Sequence, residues 1–365
     1  MFEFLSNFHE SWEPLWVLRY LTVRAGGAAI TAFLITVLCG SWTAKKLREF
    51  RATAPNRYSG GLIPPELVAK EKEKTPSMGG LLIVAAVVAA NLLWADLGIG
   101  QSWILLGGFA AFAFVGFADD FAKVAFRRRD GIPGKAKLGG QIIIAGTCIW
   151  LLSLLPEYKE LMKEFYIPFL KTPLICSRIF AVIVALVAIV GASNAVNLTD
   201  GKDGLAVGCT ISCTLSYSVF AYLCGNAIYS QYLHITFIPG CGETLVFAAA
   251  LIGACIGFLW HNCYPASMFM GDTGSLAIGG AIGLLAVMVR QEVLLILVGG
   301  VFVMEAVSVI LQVASFKLTG KRIFLCSPIH HHFEQKGWTE TQIVVRFWIL
   351  SGLFALMALA TLKIR

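Results

Sequence analysis

The chain has 365 residues, 57% of them hydrophobic and 14% charged, with a formal net charge of +7 and a mean hydropathy of +0.75. A soluble domain carries about a quarter charged residues, so this composition excludes an ordinary water-soluble fold and suggests no nucleic-acid partner. The apolar residues form runs long enough to cross a bilayer as helices, about 20 residues each, without the period-two alternation of a membrane barrel.

The first stretch is mildly acidic at Glu3, Glu10 and Glu13 and has no small-residue cleavage site after a short apolar core, so it does not read as a cleaved leader. Apolar runs follow near 20–42, 78–95, 102–118, 138–155, 174–192, 205–225, 244–260, 273–289, 293–316 and 343–362. They predict an all-α polytopic membrane protein with about ten transmembrane helices, a single integral-membrane domain over 1–365. The longest gap, 43–77, is too short to bury a core of its own. The ten cysteines mostly sit singly inside apolar runs with no zinc-type spacing, so neither a zinc site nor disulfides are expected.

Ten spans place both termini on one side. Of the 29 Lys and Arg residues, 20 fall in 43–77, 119–137, 193–204, 261–274 and 317–346. By the positive-inside rule those segments face the cytoplasm and both termini are periplasmic. Six of the seven aspartates and four of the six histidines belong to the same set. Transport sites gather ionisable groups near the bilayer midplane. Here they gather at span ends, a pattern suited to surface chemistry in a cytoplasmic cleft.

Four motifs carry that chemistry. Asp119-Asp120 with Lys123 ends the third run. Adjacent carboxylates repel, so a cation, a proton or solvent must offset them, although a charged collar at the membrane exit is the plainer reading. Asn194 to Leu205 packs Asn194, Asn197, Asp200 and Asp203 with two glycines between apolar runs, a density of amides and carboxylates suited to a hydroxylated or nucleobase ligand. A simple helical hairpin is its alternative. Phe269 to Ser275 sets Asp272 between glycines at the start of the eighth run, either a helix cap or a third carboxylate on the same face, where Mg²⁺ takes one or two carboxylates with phosphate oxygens and water. Ser327 to Glu334 holds His330, His331 and His332, which cannot all point one way on a helix and form no HExxH pair. They read as phosphate or nucleotide contacts or as a solvated basic loop. Lys70, Lys72 and Lys74 before Thr75-Pro76-Ser77-Met78-Gly79-Gly80, and Lys135 and Lys137 after the aspartate pair, are as well suited to anchoring anionic lipid headgroups. Glu305, with Gln312 two turns on, is the one acid deep in an apolar run, a functional residue or half of an interhelical hydrogen bond.

In this order, the Thr75–Gly80 approach, Asp119-Asp120-Lys123, Asn194–Leu205 and Met270–Ser275 resemble the polyprenyl-phosphate N-acetylhexosamine-1-phosphate transferase superfamily across most of the chain. Pro328–Glu334, continuing to Lys336-Gly337-Trp338 and Arg346-Phe347-Trp348, is similar to the bacterial branch that transfers phospho-N-acetylmuramoyl-pentapeptide. Ser77, where Thr is common, is a mild departure. The resemblance implies transfer from UDP-N-acetylmuramoyl-pentapeptide to undecaprenyl phosphate with Mg²⁺ as cofactor, in the bacterial inner membrane, and a homodimer as one arrangement. It implies Asp272 as main metal ligand with Asp119 and Asp120 beside it, and Asp119 as the base. Catalytic roles extend to Lys123, His330, His331 and His332. Lys72, Thr75, Lys135, Asn194, Asn197, Asp200, Asp203, Asn262 and Gln312 would bind substrate. A sister enzyme using UDP-N-acetylglucosamine is the nearest competing reading, and an ion or lipid transporter the distant one.

Overall fold

The computed structural model describes residues 13–50, 75–126, 131–168, 170, 173–175 and 177–363. Lys72 lies outside the described residues. Among them, nine helices are long and apolar enough to cross a membrane, and Gly80–Trp94 is a shorter apolar one. Numbered in chain order, they are α1 (Leu21–Glu49), α2 (Gly80–Trp94), α3 (Gly100–Ala125), α4 (Gly134–Leu154), α5 (Arg178–Thr199), α6 (Leu205–Cys224), α7 (Thr244–Asn262), α8 (Gly271–Met288) and α9 (Gly300–Thr319). A short helix α10 (Ile329–Gln335) then precedes α11 (Glu340–Ala360). The protein is thus an all-α polytopic membrane protein, its described strands being one two-residue antiparallel pair, Glu164–Phe165 with Leu174–Ile175.

The ten predicted runs match α1–α9 and α11, but the helices overrun the apolar stretches. The α3 helix continues through Asp119, Asp120 and Lys123, and α5 carries Asn194 and Asn197 on its last turns rather than in a loop. Hydropathy ends at the first polar residues, whereas the i→i−4 ladder continues until something breaks it. The run expected over 293–316 is split at Gly299 into a short helix, Leu295–Val298, and α9.

Every residue of α8 is buried, so this helix is the axis of the bundle. Lipid gives helices little hydrophobic reason to associate, so close packing of small residues must do it. A Cβ on Gly279 would stand 2.5 Å from the Ala192 carbonyl and one on Gly283 2.5 Å from Ile189 Cα, which lets α5 lie directly against α8. The α9 helix behaves oppositely. Its buried residues end at Ser308, and Ile310, Leu311, Val313, Phe316 and Leu318 are exposed beyond it, so its second half leaves the bundle as an apolar arm.

Segments separated by pairs of spans meet at one end. Phe269 N–H donates to the Pro76 carbonyl, Gly79 N–H to Phe269 and Gly80 N–H to Met270, each at 2.8 Å. Arg48 Nη2 reaches the Ser267 carbonyl at 3.2 Å, and Gly204 N–H reaches Asn262 Oδ1 at 3.1 Å. The alternating-loop reading of the sequence therefore gathers its basic segments at a common end.

Candidate active site

The third and eighth spans deliver their aspartates to one point. Carboxylate oxygens of Asp119, Asp120 and Asp272 lie within 4.8 Å of one another, and all three residues are buried. Asp119 and Asp272 share two lysines. Lys123 Nζ, one turn beyond Asp119 on α3, is 2.6 Å from Asp119 Oδ2 and 3.0 Å from Asp272 Oδ2. Lys137 Nζ, from the first turn of α4, is 2.5 Å from Asp272 Oδ2 and 3.7 Å from Asp119 Oδ2. Asp119 Oδ1 also accepts the Ile132 N–H at 2.9 Å. That approach requires Gly131, whose φ is +57° and where a Cβ would stand 2.5 Å from Asp119 Oδ1.

Asp120 is held differently. Its Oδ1 accepts the Asp272 N–H at 3.2 Å, and its Oδ2 accepts the Thr273 N–H at 2.9 Å and the Thr273 hydroxyl at 2.7 Å. The α8 helix has no side-chain cap of its own. Asp120 supplies one from another span, satisfying free N–H groups and setting its charge against the positive end of the helix. A Cβ at Gly271 would lie 2.7 Å from Asp120 Oδ2, at a backbone φ of +74°, so glycine is what lets the carboxylate in.

Asn197 completes the inner ring, donating to Asp272 Oδ1 at 3.0 Å and to Ser275 Oγ at 2.8 Å. The other residues of that motif serve the surrounding walls. Asn194 donates to Gln141 Oε1 of α4 at 2.6 Å and to the Val190 carbonyl at 2.8 Å. Asp200 is the residue that ends α5. Asp203 is buried and accepts the Ala266 N–H at 3.1 Å. Asn262 accepts from Gly204 and donates to the Met268 carbonyl at 3.0 Å, so Asp203 and Asn262 together tie the 200–204 turn to the 263–270 loop. Thr75 lies just before the segment paired with Phe269, and Lys135 is exposed.

The histidines do point three ways. His330 is fully buried with Nδ1 3.1 Å from Glu305 Oε1. His331 Nδ1 is 2.9 Å from Glu334 Oε2, whose other oxygen is 2.5 Å from Lys202 Nζ. His332 Nδ1 accepts the Leu325 N–H at 3.2 Å. Burial works to raise the Glu334 pKa, but hydrogen bonds from His331 and Lys202 and the Lys202 charge outweigh it and hold the carboxyl at about 2. Burial, with help from the neighbouring His330 and Lys202, keeps the His331 ring below its ordinary value despite Glu334. Gln312 braces the loop before them, accepting the Ile323 and Phe324 N–H groups at 3.1 and 2.9 Å and donating to the Phe324 carbonyl at 2.9 Å.

Sequence reasoning gave no site role to four residues that the fold makes central, Lys137 having been read as a headgroup anchor. Lys137 joins the aspartates while its neighbour Lys135 turns outward, a choice set by helix phase that the first turn of α4 hides. Thr273, Ser275 and Lys202 stood inside the quoted motifs and carry contacts that only a tertiary partner reveals.

Comparison with known proteins defines first the class. The family model of glycosyl transferase family 4 matches residues 102–290, the stretch that contains all three aspartates. Residues 72–84 match phospho-N-acetylmuramoyl-pentapeptide-transferase signature 1. Curated proteins named phospho-N-acetylmuramoyl-pentapeptide-transferase are similar along the whole chain. The one from Methylacidiphilum infernorum (isolate V4) is 50% identical over 96% of both chains, and the one from Syntrophus aciditrophicus (strain SB) is 46% identical over 100% of both. That from Rhodopseudomonas palustris (strain BisA53) is 47% identical over 100% of both. The chain belongs to the phospho-N-acetylmuramoyl-pentapeptide-transferase family.

Proposed function

We propose that this protein transfers phospho-N-acetylmuramoyl-pentapeptide from UDP-N-acetylmuramoyl-pentapeptide to undecaprenyl phosphate, yielding lipid I and UMP at the cytoplasmic face of the bacterial inner membrane. The observation that carries the reading is the meeting of Asp119, Asp120 and Asp272 with Lys123 and Lys137 at one end of a membrane bundle. Phosphoryl transfer depends chiefly on aligning anions and offsetting their charge. The ends of spans are where a soluble nucleotide and a lipid phosphate at the headgroup level can meet.

Three buried carboxylates against two shared lysines leave surplus negative charge on hard oxygen donors, a set that fits Mg²⁺. Asp272, Asp119 and Asp120 would hold it, and when bound it would neutralise charge on the diphosphate. Lys123 and Lys137 offset the charge of the reacting phosphates, exchanging their carboxylate partners for phosphate oxygens. Asp119, with one oxygen fixed by Ile132 N–H, takes the proton from the lipid phosphate, which then attacks the nucleotide diphosphate directly. Asp120 keeps the start of α8, and hence Asp272, in place. Asn197 orients the Asp272 carboxylate, while Asp203, Asn262 and Gln312 shape the walls around the substrate. Lys72, Thr75, Lys135 and Asp200 are assigned to substrate binding by the family resemblance.

Purified protein, undecaprenyl phosphate and Mg²⁺ are expected to release UMP from UDP-N-acetylmuramoyl-pentapeptide, and chelation is expected to stop it. Preferential release from UDP-N-acetylglucosamine would transfer the chain to the sister activity. Glu305, the one acid deep in an apolar run, is buried with Oε1 3.1 Å from His330 Nδ1, the arrangement of an interhelical contact rather than of a transport site.

A further inference from the structure

Lys202 sits in the turn between α5 and α6 and is nearly inaccessible to solvent. A buried ammonium is costly unless matched, and its match comes from another element, Glu334 of α10, 2.5 Å away. Each oxygen of Glu334 therefore has a distinct duty, one toward Lys202 and one toward His331 Nδ1. We propose that Lys202 and Glu334 are positioning residues that fix the His331 tautomer, presenting Nε2 as a hydrogen-bond acceptor to the sugar or peptide portion of the donor substrate. This inference rests on the transferase reading given above.

The polarity follows from donor and acceptor rules. An ionised carboxylate only accepts, so the proton shared with Glu334 belongs to His331 Nδ1. In a neutral imidazole the other nitrogen then carries a lone pair. Neutrality is favoured by burial and by the Lys202 ammonium and His330 ring facing His331, against which Glu334 is the opposing charge. A lone pair repels phosphate oxygens, which are acceptors too. It suits the O–H of a sugar, the N–H of an acetamido group or a peptide N–H. Of these only a peptide N–H sets a muramoyl-peptide apart from a simpler N-acetylated sugar, so His331 would read that difference where it meets the peptide, leaving the phosphates to the lysines.

The latch also fixes where that nitrogen stands. The His331 and His330 rings pack with centroids 4.2 Å apart, and His330 is itself anchored to Glu305 of α9. Gly201, adjacent to Lys202, lies so close to His330 that a Cβ there would be 2.3 Å from Nε2. The turn and α10 are thus joined at two neighbouring residues. That turn begins one helical turn after Asn197, which bonds Asp272. Only residues 198–201, none of them exposed, separate Lys202 from Asn197 along the chain.

The first measurement is UMP release by the unaltered protein; failure there would sink the transferase reading rather than the latch. With activity established, Glu334→Leu and Lys202→Met are each expected to lower kcat/KM about tenfold or more, the usual cost of losing a partner that orients a functional histidine. Lys202→Arg should restore most of it. The exchanged pair, Lys202→Glu with Glu334→Lys, should regain thermal stability without regaining activity, because a lysine at 334 would drive the His331 proton to Nε2. Recovery of both would reduce the pair to a fold-stabilising latch, as would full kinetics in Glu334→Leu. Nitrogen NMR of isotope-labelled histidine in the unaltered protein, with His331 assigned by its loss in His331→Asn, needs no altered latch. An unprotonated Nε2 supports the proposal and a protonated one overturns it.

Discussion

The two ends of α8 hold charge in opposite ways. Asp272 opens the helix and Arg290 stands just past its end, roughly 27 Å away along the axis at 1.5 Å per residue. At the Arg290 end the two buried arginines each have one acid. Arg290 pairs with Glu292 at 2.5 Å and donates to the Glu164 carbonyl at 2.6 Å, while Tyr217 and Tyr158 hydroxyls hold the Gln291 and Met288 carbonyls. Nearby, Arg24 forms an ion pair with Glu243, which also accepts the Asp96 N–H at 2.7 Å. Around Asp272, by contrast, each of two lysines serves two carboxylates and a third acid is committed to a helix start. One-to-one pairing closes a cluster. Shared pairing leaves an imbalance that a new anion and a cation can enter, and this is what separates a structural end from a reactive one.

The sharpest way to break that comparison is to remove charge at the reactive end. Asp119→Asn is expected to cut UMP release about a thousandfold, in the range for loss of a general base, while nucleotide binding persists. Asp272→Ala should do the same and also flatten the Mg²⁺ titration. Turnover near the original rate in the first, or an unchanged titration in the second, would detach these residues from the assigned roles. At the structural end, Arg290→Met strands the buried Glu292 carboxylate and should cost about 3 kcal/mol of stability, read as a lowered thermal midpoint in detergent. Activity per folded molecule should hold, and Arg290→Met with Glu292→Leu should recover much of the midpoint. A fall in turnover without a fall in midpoint would show the two ends to be coupled.

A finer test separates two lysines two residues apart. Lys137→Met is expected to lower kcat/KM about a hundredfold or more, as for removal of one preorganised charge, and Lys135→Met, at an exposed substrate-binding position, to lower it much less and through KM rather than kcat. Equal effects would mean that the shared-lysine arrangement is not what the reaction uses. This pair also marks where the sequence stopped being legible. Spans, their order and the acidic motifs could be read because hydropathy and clustered carboxylates are local signals. Which lysine faces inward depends on the phase of α4 relative to α3, a tertiary property. The same holds for Asn194 and Asn197: both lie on one polar stretch, yet one meets Gln141 and the other Asp272. Gln312 and Asn262 are expected among the substrate-binding residues, and the backbone groups an amide holds are not written in the sequence. Their hydrogen bonds show which backbone groups they hold.

Asp120 raises the same ambiguity inside the site, and the smallest predicted effect resolves it. Its carboxylate counts among three that come close enough to share a cation, yet its oxygens are already engaged by Thr273 and the Asp272 N–H. If its work is to cap α8, Thr273→Val, which removes only the hydroxyl donor, should cost about 1 kcal/mol of stability and change activity severalfold at most. Asp120→Asn would keep a carbonyl oxygen for the helix N–H groups and should then resemble Thr273→Val in size. If instead Asp120 is chiefly a metal ligand, the amide would weaken the Mg²⁺ titration far more than the valine does, with the midpoint barely moved. The two variants touch the same carboxylate from opposite sides, so the ratio of their effects on stability and on metal dependence assigns it.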